Sequence, residues 1–350
     1  MPSDTPPTDP AKQRRELLRQ AGRYESVTAA CEALGVPRAT FYRWHEVNRW
    51  SDERLSGQIR KDKIDILVDL SGHSTGNRLS VLATKPAPVQ ITAWGYGVGC
   101  GLRAMDYLIQ DLSTFPVDHR GCLTEQVLDL PCQAHLLPLS DYPKPGPLPA
   151  RSNGFITLGT FSRPDRLNVA TFDLWAKVLQ RYPECCLFWK ASMRYPQVHD
   201  AWFKDQLGSR GIAHERLTVQ GHSSQEEHLA AMTRVDFALD SYPHGGGVSH
   251  LELLRMGIPV VSRWGSPVTG RGTGTFLKIL NMDNWIADST EEYVAIVGQQ
   301  MKNLDGLETL REVLRKRFDA SILGDHRNYA LEVERAYRLV WERWCLTNAG

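Results

Sequence analysis

The chain has 350 residues, 42% of them hydrophobic and 23% charged, enough for two domains or for one large α/β unit with an appendage. Its 41 Lys and Arg nearly balance 40 Asp and Glu, so a net charge of +1 supplies no global field toward nucleic acid or an anionic membrane. No apolar run approaches the ~18 residues that span a bilayer, and the opening MPSDTPPTDP lacks the apolar core of a secretory signal. The seven cysteines (31, 100, 122, 132, 185, 186 and 345) are odd in number and lack C-x-x-C spacing. That argues against a disulfide scaffold or a zinc site and for buried thiols in a reducing cytoplasm.

Residues 1–10 carry four prolines and no apolar periodicity, which reads as a disordered leader. Residues 11–60 read as a small helical module. Eight Lys or Arg stand against four Glu between 11 and 50, a local net charge of +4. Val27, Ala30, Cys31 and Leu34 share a helix face, Gly35 stops that helix, and Pro37 opens a second one bearing Phe41 and Trp44. The stretch 26–45, SVTAACEALGVPRATFYRW at its heart, resembles the helix-turn-helix of transposase-type or small regulatory proteins. A helical hairpin with a solvated basic face fits the same pattern.

From about 61 the pattern changes to α/β. Ile64–Leu70 is a short, nearly continuous apolar run of the kind buried in a parallel sheet, and 89–93, 107–110 and 127–130 are further strands. These make a first, incomplete Rossmann-like domain over 61–137. Five prolines crowd 138–150, which reads as a linker excluded from packed elements. Strands at 156–160, 186–190, 217–220, 237–239, 260–262 and 285–287 then alternate with helices opened by Asn168, by Ser224-x-x-Glu227 and by Ser289-x-x-Glu292. Gly208 and Gly257 are helix stops. This predicts a second Rossmann-like domain over 151–324 and a closing helix over 325–350 with Leu331, Tyr337, Val340, Trp341 and Trp344 available for packing.

Ligands of open α/β sheets bind where strand carboxyl ends meet helix N-termini, and three loops there are unusually polar. Phe161-Ser162-Arg163-Pro-Asp-Arg166 offers two arginines suited to a diphosphate, though a solvated loop fits too. The second loop holds His222, Gln225 and His228, where an imidazole beside a base or diphosphate competes with plain packing. In the third, Asp240 precedes Gly245-Gly246-Gly247-Val248-Ser249, whose glycines let backbone N–H groups approach phosphate. Glu252 follows one turn later, placed to accept from sugar hydroxyls. No cluster has metal-ligand spacing, and neither G-x-x-x-x-G-K-[ST] nor G-x-G-x-x-G is present.

Asp65–Arg78, Lys85–Tyr96, Met105-Asp-Tyr107 and Asp111 resemble the catalytic region of the O-linked N-acetylglucosamine transferase (SPINDLY) family. The likeness runs on through Gly159–Arg166, Glu226-Glu-His228, Leu239-Asp240, Gly245–Glu252 and Gly257-Ile-Pro259 to the final helix. It implies two Rossmann-like domains of the B-type glycosyltransferase fold, and transfer of a sugar from a UDP-sugar to Ser or Thr of a protein without a metal or other cofactor. By position, Phe161–Arg166 match the diphosphate loop, with Arg166 where the family commonly has lysine. His228 matches the histidine against uracil, the glycine loop and Ser249 the phosphate contact, and Glu252 the ribose acid. His73 falls in the turn that faces the donor cleft and, with Arg166, is the expected catalytic pair. The family's upstream histidine segment and tetratricopeptide repeats find no match, so a truncated acceptor side is expected. Three readings follow: a UDP-sugar transferase acting on a protein or peptide, a catalytically weak UDP-sugar-binding remnant, and a helix-turn-helix DNA-binding protein with a nucleotide-sugar sensor. The charge balance puts nucleic acid last, and no membrane partner is expected.

Overall fold

A computed structural model describes residues 47, 49–95, 97–137, 142–193 and 195–348; the leader and the helix-turn-helix segment lie outside the described residues. The chain divides into two compact units, one ending at Asp62 and one running from Lys63 onward. In the first, α1 (Asp52–Lys61) is capped by Ser51, whose side chain accepts from Arg54 N at 3.2 Å. Asp52 and Glu53 in its first turn and Arg60 and Lys61 in its last complement the helix dipole.

The second unit contains two parallel sheets. The first is built from β1 (Ile66–Asp69), β2 (Val89–Thr92), β3 (Tyr107–Gln110) and β4 (Gln126–Asp129), in the order β1-β2-β3-β4, with a short helix α2 (Leu79–Ala83) after β1. After α3 (Pro149–Asn153) come β5 (Thr157–Thr160), α4 (Val169–Arg181), β6 (Cys186–Lys190), α5 (Pro196–Gly208) and β7 (Leu217–Gln220). The chain continues through α6 (Gln225–Met232), β8 (Phe237–Leu239), α7 (Val248–Arg255), β9 (Val260–Arg263), α8 (Gly272–Ile279) and β10 (Ile286–Ala287). It ends in α9 (Thr290–Lys302), α10 (Leu304–Asp319) and α11 (His326–Asn348). The six-stranded order is β10-β9-β8-β5-β6-β7, all parallel.

All ten predicted strands are present within two residues of their expected limits. The capping signals work as read: Asn168 accepts from Thr171 N at 3.1 Å, and Ser224 and Glu227 form a reciprocal capping box. Gly257 takes φ +78° after α7, a conformation that costs any other residue. Three helices of the second unit went unread: α2, α10 and, in the proline-rich segment, α3. For α10 the signals were present, an Asn303 cap and buried Leu307, Arg311, Leu314 and Phe318 at helical spacing. Helix α2 is five residues long and too short to show a period.

The proline-rich segment is a correction. Pro149 is not excluded from structure but opens α3, where its missing N–H costs nothing. Leu148 beside it is buried. Buried Arg311 donates to Gly146 O at 2.8 Å and to Val235 O at 3.0 Å, and Arg315 donates to Pro143 O, so this segment is held against the six-stranded sheet.

The main core fills the six-stranded sheet and its helices. Trp189 on β6 stacks on Phe203 of α5 with ring centroids 4.6 Å apart, and Phe172 of α4 meets Trp175, Trp202 and Phe203 edge-on. The smaller sheet is covered by α11: Tyr329 and Val340 are buried against Val89, Ile91, Ile109 and Leu128, with Tyr337, Trp341 and Trp344 packed around them.

Candidate active site

The order of the larger sheet decides where a ligand can lie. From β5 the chain steps outward through β6 and β7, then returns to the other side of β5 as β8 and continues through β9. The loops after β5 and β8 therefore diverge from neighbouring strands, which is the switch point where open α/β sheets bind ligands. They are the loops of Arg166 and of the three glycines.

Asp240, at the end of β8, is buried and organises the glycine loop rather than facing it. Its Oδ1 accepts from Gly246 N at 2.9 Å and its Oδ2 from Ser262 Oγ at 2.7 Å. Its carbonyl accepts from Trp175 Nε1 at 3.1 Å and Tyr293 OH at 3.3 Å. The fully buried His250 lies with Nδ1 2.8 Å from Thr273 Oγ1 and 3.5 Å from Asp240 Oδ1. A side chain at Gly246 would run into the His250 ring, so glycine is required there. Desolvation lowers the His250 pKa, against the pull of Asp240. Gly247 then opens α7 without a side-chain cap, Val248 is exposed beside it, and Ser249 is half-buried.

The loop after β5 closes on the glycines. Arg166 Nη1 donates to Gly245 O at 3.1 Å, while its buried Nε has no hydrogen-bond partner among the described residues. Burial, and then Arg163, lowers the Arg166 pKa. Ser162 Oγ lies 3.2 Å from Ser241 Oγ, so the two loops are joined twice. Arg163 is exposed and lies 3.5 Å from Asp165.

The third loop completes one rim. His228 on α6 sets its ring edge-on to Phe161 at 5.9 Å, and its Nε2 lies 3.5 Å from Glu252 Oε2 on α7. Gln225 Nε2 donates to Glu252 Oε1 at 3.1 Å. Phe161, Gln225, His228 and Glu252 thus form one contiguous group. His222 stands apart, its Nδ1 3.2 Å from Ser192 Oγ. Sequence reasoning passed over Lys190, which is buried at the end of β6 and donates to Gly221 O at 3.0 Å and Ser223 Oγ at 2.7 Å. Burial pushes its pKa down, and its contacts show that it pins the 221–224 turn.

His73 belongs to the other sheet, in the turn after β1. Asp69 holds that turn, accepting from Ser71 N at 3.1 Å and Gly72 N at 2.9 Å. His73 Nε2 lies 3.1 Å from Cys100 O; a carbonyl only accepts, so this nitrogen carries the proton. Buried Glu125 fixes the Cys100 loop in turn, accepting from Cys100 N at 2.6 Å and Gly101 N at 3.1 Å. The sheets meet where Thr114 Oγ1, beyond β3, lies 3.0 Å from Thr275 Oγ1 on α8. A depression of about 600 Å³ opens at the other end of the larger sheet, among Thr157, Phe188, Thr218 and Arg234, away from these loops. Among the described residues no group of three His, Cys, Asp or Glu is arranged to hold a metal ion.

Residues 50–135 and 152–333 match the family described as Glycosyl transferase family 41. The chain belongs to this family. A probable UDP-N-acetylglucosamine–peptide N-acetylglucosaminyltransferase SPINDLY from Solanum lycopersicum is 31% identical over 310 residues, covering 86% of this chain and 33% of that protein. A mutant O-GlcNAc transferase of Thermobaculum terrenum superposes with TM-score 0.81 at 34% identity, covering 93% of this chain and 61% of the other. Anabaena HepE, solved in complex with UDP, shares the fold with TM-score 0.54 at 12% identity over 81% of this chain and 82% of its own. The chain spans about a third of the length of the curated relatives it matches. The resemblance read from the motifs and the two-sheet B-type glycosyltransferase fold both stand. Its switch-point loops carry Arg166, the three glycines and Glu252. No helix among the described residues is long and apolar enough to cross a membrane.

Proposed function

We propose that this chain is the donor-binding and catalytic part of a glycosyltransferase that moves a sugar from a UDP-sugar, N-acetylglucosamine in the first instance, to Ser or Thr of a protein. The observation that carries this reading is the 3.1 Å tie between Arg166 and Gly245 across the switch point, which joins a guanidinium to a glycine-rich helix start. A helix N-terminus and an arginine fork both suit a diphosphate. Phe161, His228 and Glu252 supply an aromatic and imidazole wall and an acid for the nucleoside.

In this reading the acceptor hydroxyl attacks the anomeric carbon while the bond to the diphosphate oxygen breaks and its electron pair leaves with UDP. Arg166 offsets the charge that builds there, work that requires the charge to be present at the transition state. The hydroxyl proton goes to His73, whose Nδ1 carries the lone pair because Nε2 donates to Cys100 O. No metal enters the step; the positive charge comes from arginine and from backbone amides.

Calorimetry with UDP, followed by turnover of UDP-N-acetylglucosamine with and without a Ser/Thr peptide, tests the proposal. UDP binding that survives a chelator, with transfer to the peptide, supports it. UDP binding without transfer or hydrolysis leaves the binding-remnant reading in its place, and binding that manganese must restore overturns the metal-free mechanism.

A further inference from the structure

Buried guanidinium nitrogens without partners are rare, because an unmade hydrogen bond inside a protein is costly. Two of them belong to Arg271, whose Nε and Nη1 are buried and unpaired among the described residues. Arg271 stands at the end of the 264–271 loop, between β9 and α8, on the same sheet edge as the glycine loop. The two loops are hydrogen-bonded: Gly245 N donates to Thr269 O at 3.1 Å. Gly245 is thus tied by its carbonyl to Arg166 and by its amide to the loop that carries Arg271.

The Arg271 fork is also preset. Its Cζ lies 4.8 Å from the centre of the Trp264 ring, and Lys278 Nζ lies 4.1 Å from the same ring. Trp264 is locked in turn, since its N donates to Ala287 O at 2.7 Å and its ring lies so close to Gly274 that a side chain there would collide. A guanidinium stacked on a fixed aromatic keeps its donors in one plane and loses little freedom on meeting a planar or tetrahedral oxyanion. Arg263 and Arg255 also have one unpaired nitrogen each, but both spend another on a protein acceptor, Thr290 and Asp319 respectively.

We propose that Arg271 is a second guanidinium of the donor diphosphate site, its Nε and Nη1 donating to phosphate oxygens beside those bound by Arg166. The inference rests on the donor reading above and adds to it a residue that no motif pointed to. Arg166 and the loop that carries Arg271 both hold Gly245, just ahead of α7, so a diphosphate bound there meets two forks and the uncapped helix start. A monophosphate or a bare nucleoside leaves one fork or both unused.

The test titrates UDP, UMP, uridine and inorganic pyrophosphate separately into the full chain and into R271M and R271K, with melting curves to establish folding. R271M is expected to weaken UDP about ten- to hundredfold, the range for a lost hydrogen bond to a charged group, and to leave uridine unchanged. R271K, which keeps the charge and loses the fork, falls between; it also serves if R271M does not fold. Equal UDP affinity in R271M and the parent chain overturns the assignment. So does uridine weakened as much as UDP, which makes Arg271 a support for Trp264 alone. Pyrophosphate separates this failure from failure of the donor reading. A parent chain that ignores UDP yet binds pyrophosphate in an Arg271-dependent way keeps the site and overturns the nucleotide; one that binds neither overturns both.

Discussion

The two sheets of the second unit do different physical work. The six-stranded sheet has central strands buried at all but one position, and the polar groups at its carboxyl edge are wired to one another through Asp240, His250, Thr273 and Ser262. The four-stranded sheet ends in β1, an edge strand whose residues 66–68 are only half-buried, flanked by Leu70 at 57% exposure. It takes its cover from α11, which arrives from the far end of the chain. A densely wired edge suits tight placement of a charged ligand, because loops held by buried hydrogen bonds do not need ordering on binding. A thinner sheet with an open edge suits a surface that must admit a large acceptor. The denser network of buried hydrogen bonds lies at the edge of the six-stranded sheet.

The contrast can be broken most forcefully at Asp240. Asp240→Ala strands Gly246 N and Ser262 Oγ and removes the charge beside His250; a loss of about 3–5 kcal/mol of stability is expected, on the scale of a broken buried pair. A melting temperature within a degree of the parent would show that the glycine loop is not held from below.

Arg166→Ala should leave the fold intact but weaken UDP by about 1.5–3 kcal/mol, the scale of a hydrogen bond to a charged group. Calorimetry reads this directly, and unchanged affinity would move the diphosphate elsewhere. On the other sheet, Glu125→Gln keeps the size but loses a carboxylate that accepts from two amides. A loss of about 1–2 kcal/mol is expected, together with lower turnover at unchanged UDP affinity, because His73 is positioned through Cys100 O. If UDP affinity falls in parallel with turnover, the two halves are coupled more tightly than proposed.

The smallest effect concerns pH. Burial lowers the pKa of both His250 and His135, so the unfolded chain binds more protons than the folded one in acid. Their contribution is fully present above the ordinary histidine pKa of about 6.5 and is lost as pH falls below it. Melting temperature should therefore drop from pH 7 toward pH 5, and His250→Gln should flatten part of that slope. A profile independent of pH across this range, or an unaltered slope in the variant, would contradict the buried neutral imidazole.

Much of the architecture is written locally. Strand runs such as Cys186–Lys190, the caps at Asn168, Ser224 and Ser289, and the stop at Gly257 are decided by residues within a few positions of one another. For the same reason the three polar loops could be found from sequence, since each lies where a strand motif ends and a helix signal begins. The family motifs supplied the roles proposed for Arg166, His228 and Glu252. What sequence alone did not reveal depends on pairs far apart in the chain. That Asp240 turns inward to Ser262 rather than outward, that Arg311 pins a proline segment 165 positions away, and that α11 covers the first sheet are consequences of strand order and packing. Arg271 belongs to the same class: nothing near it in sequence marks it, and its unpaired nitrogens acquire meaning only because folding buries them on a loop hydrogen-bonded to Gly245. Local chemistry sets which elements form; burial, which only tertiary structure confers, decides which polar groups are left waiting for a partner.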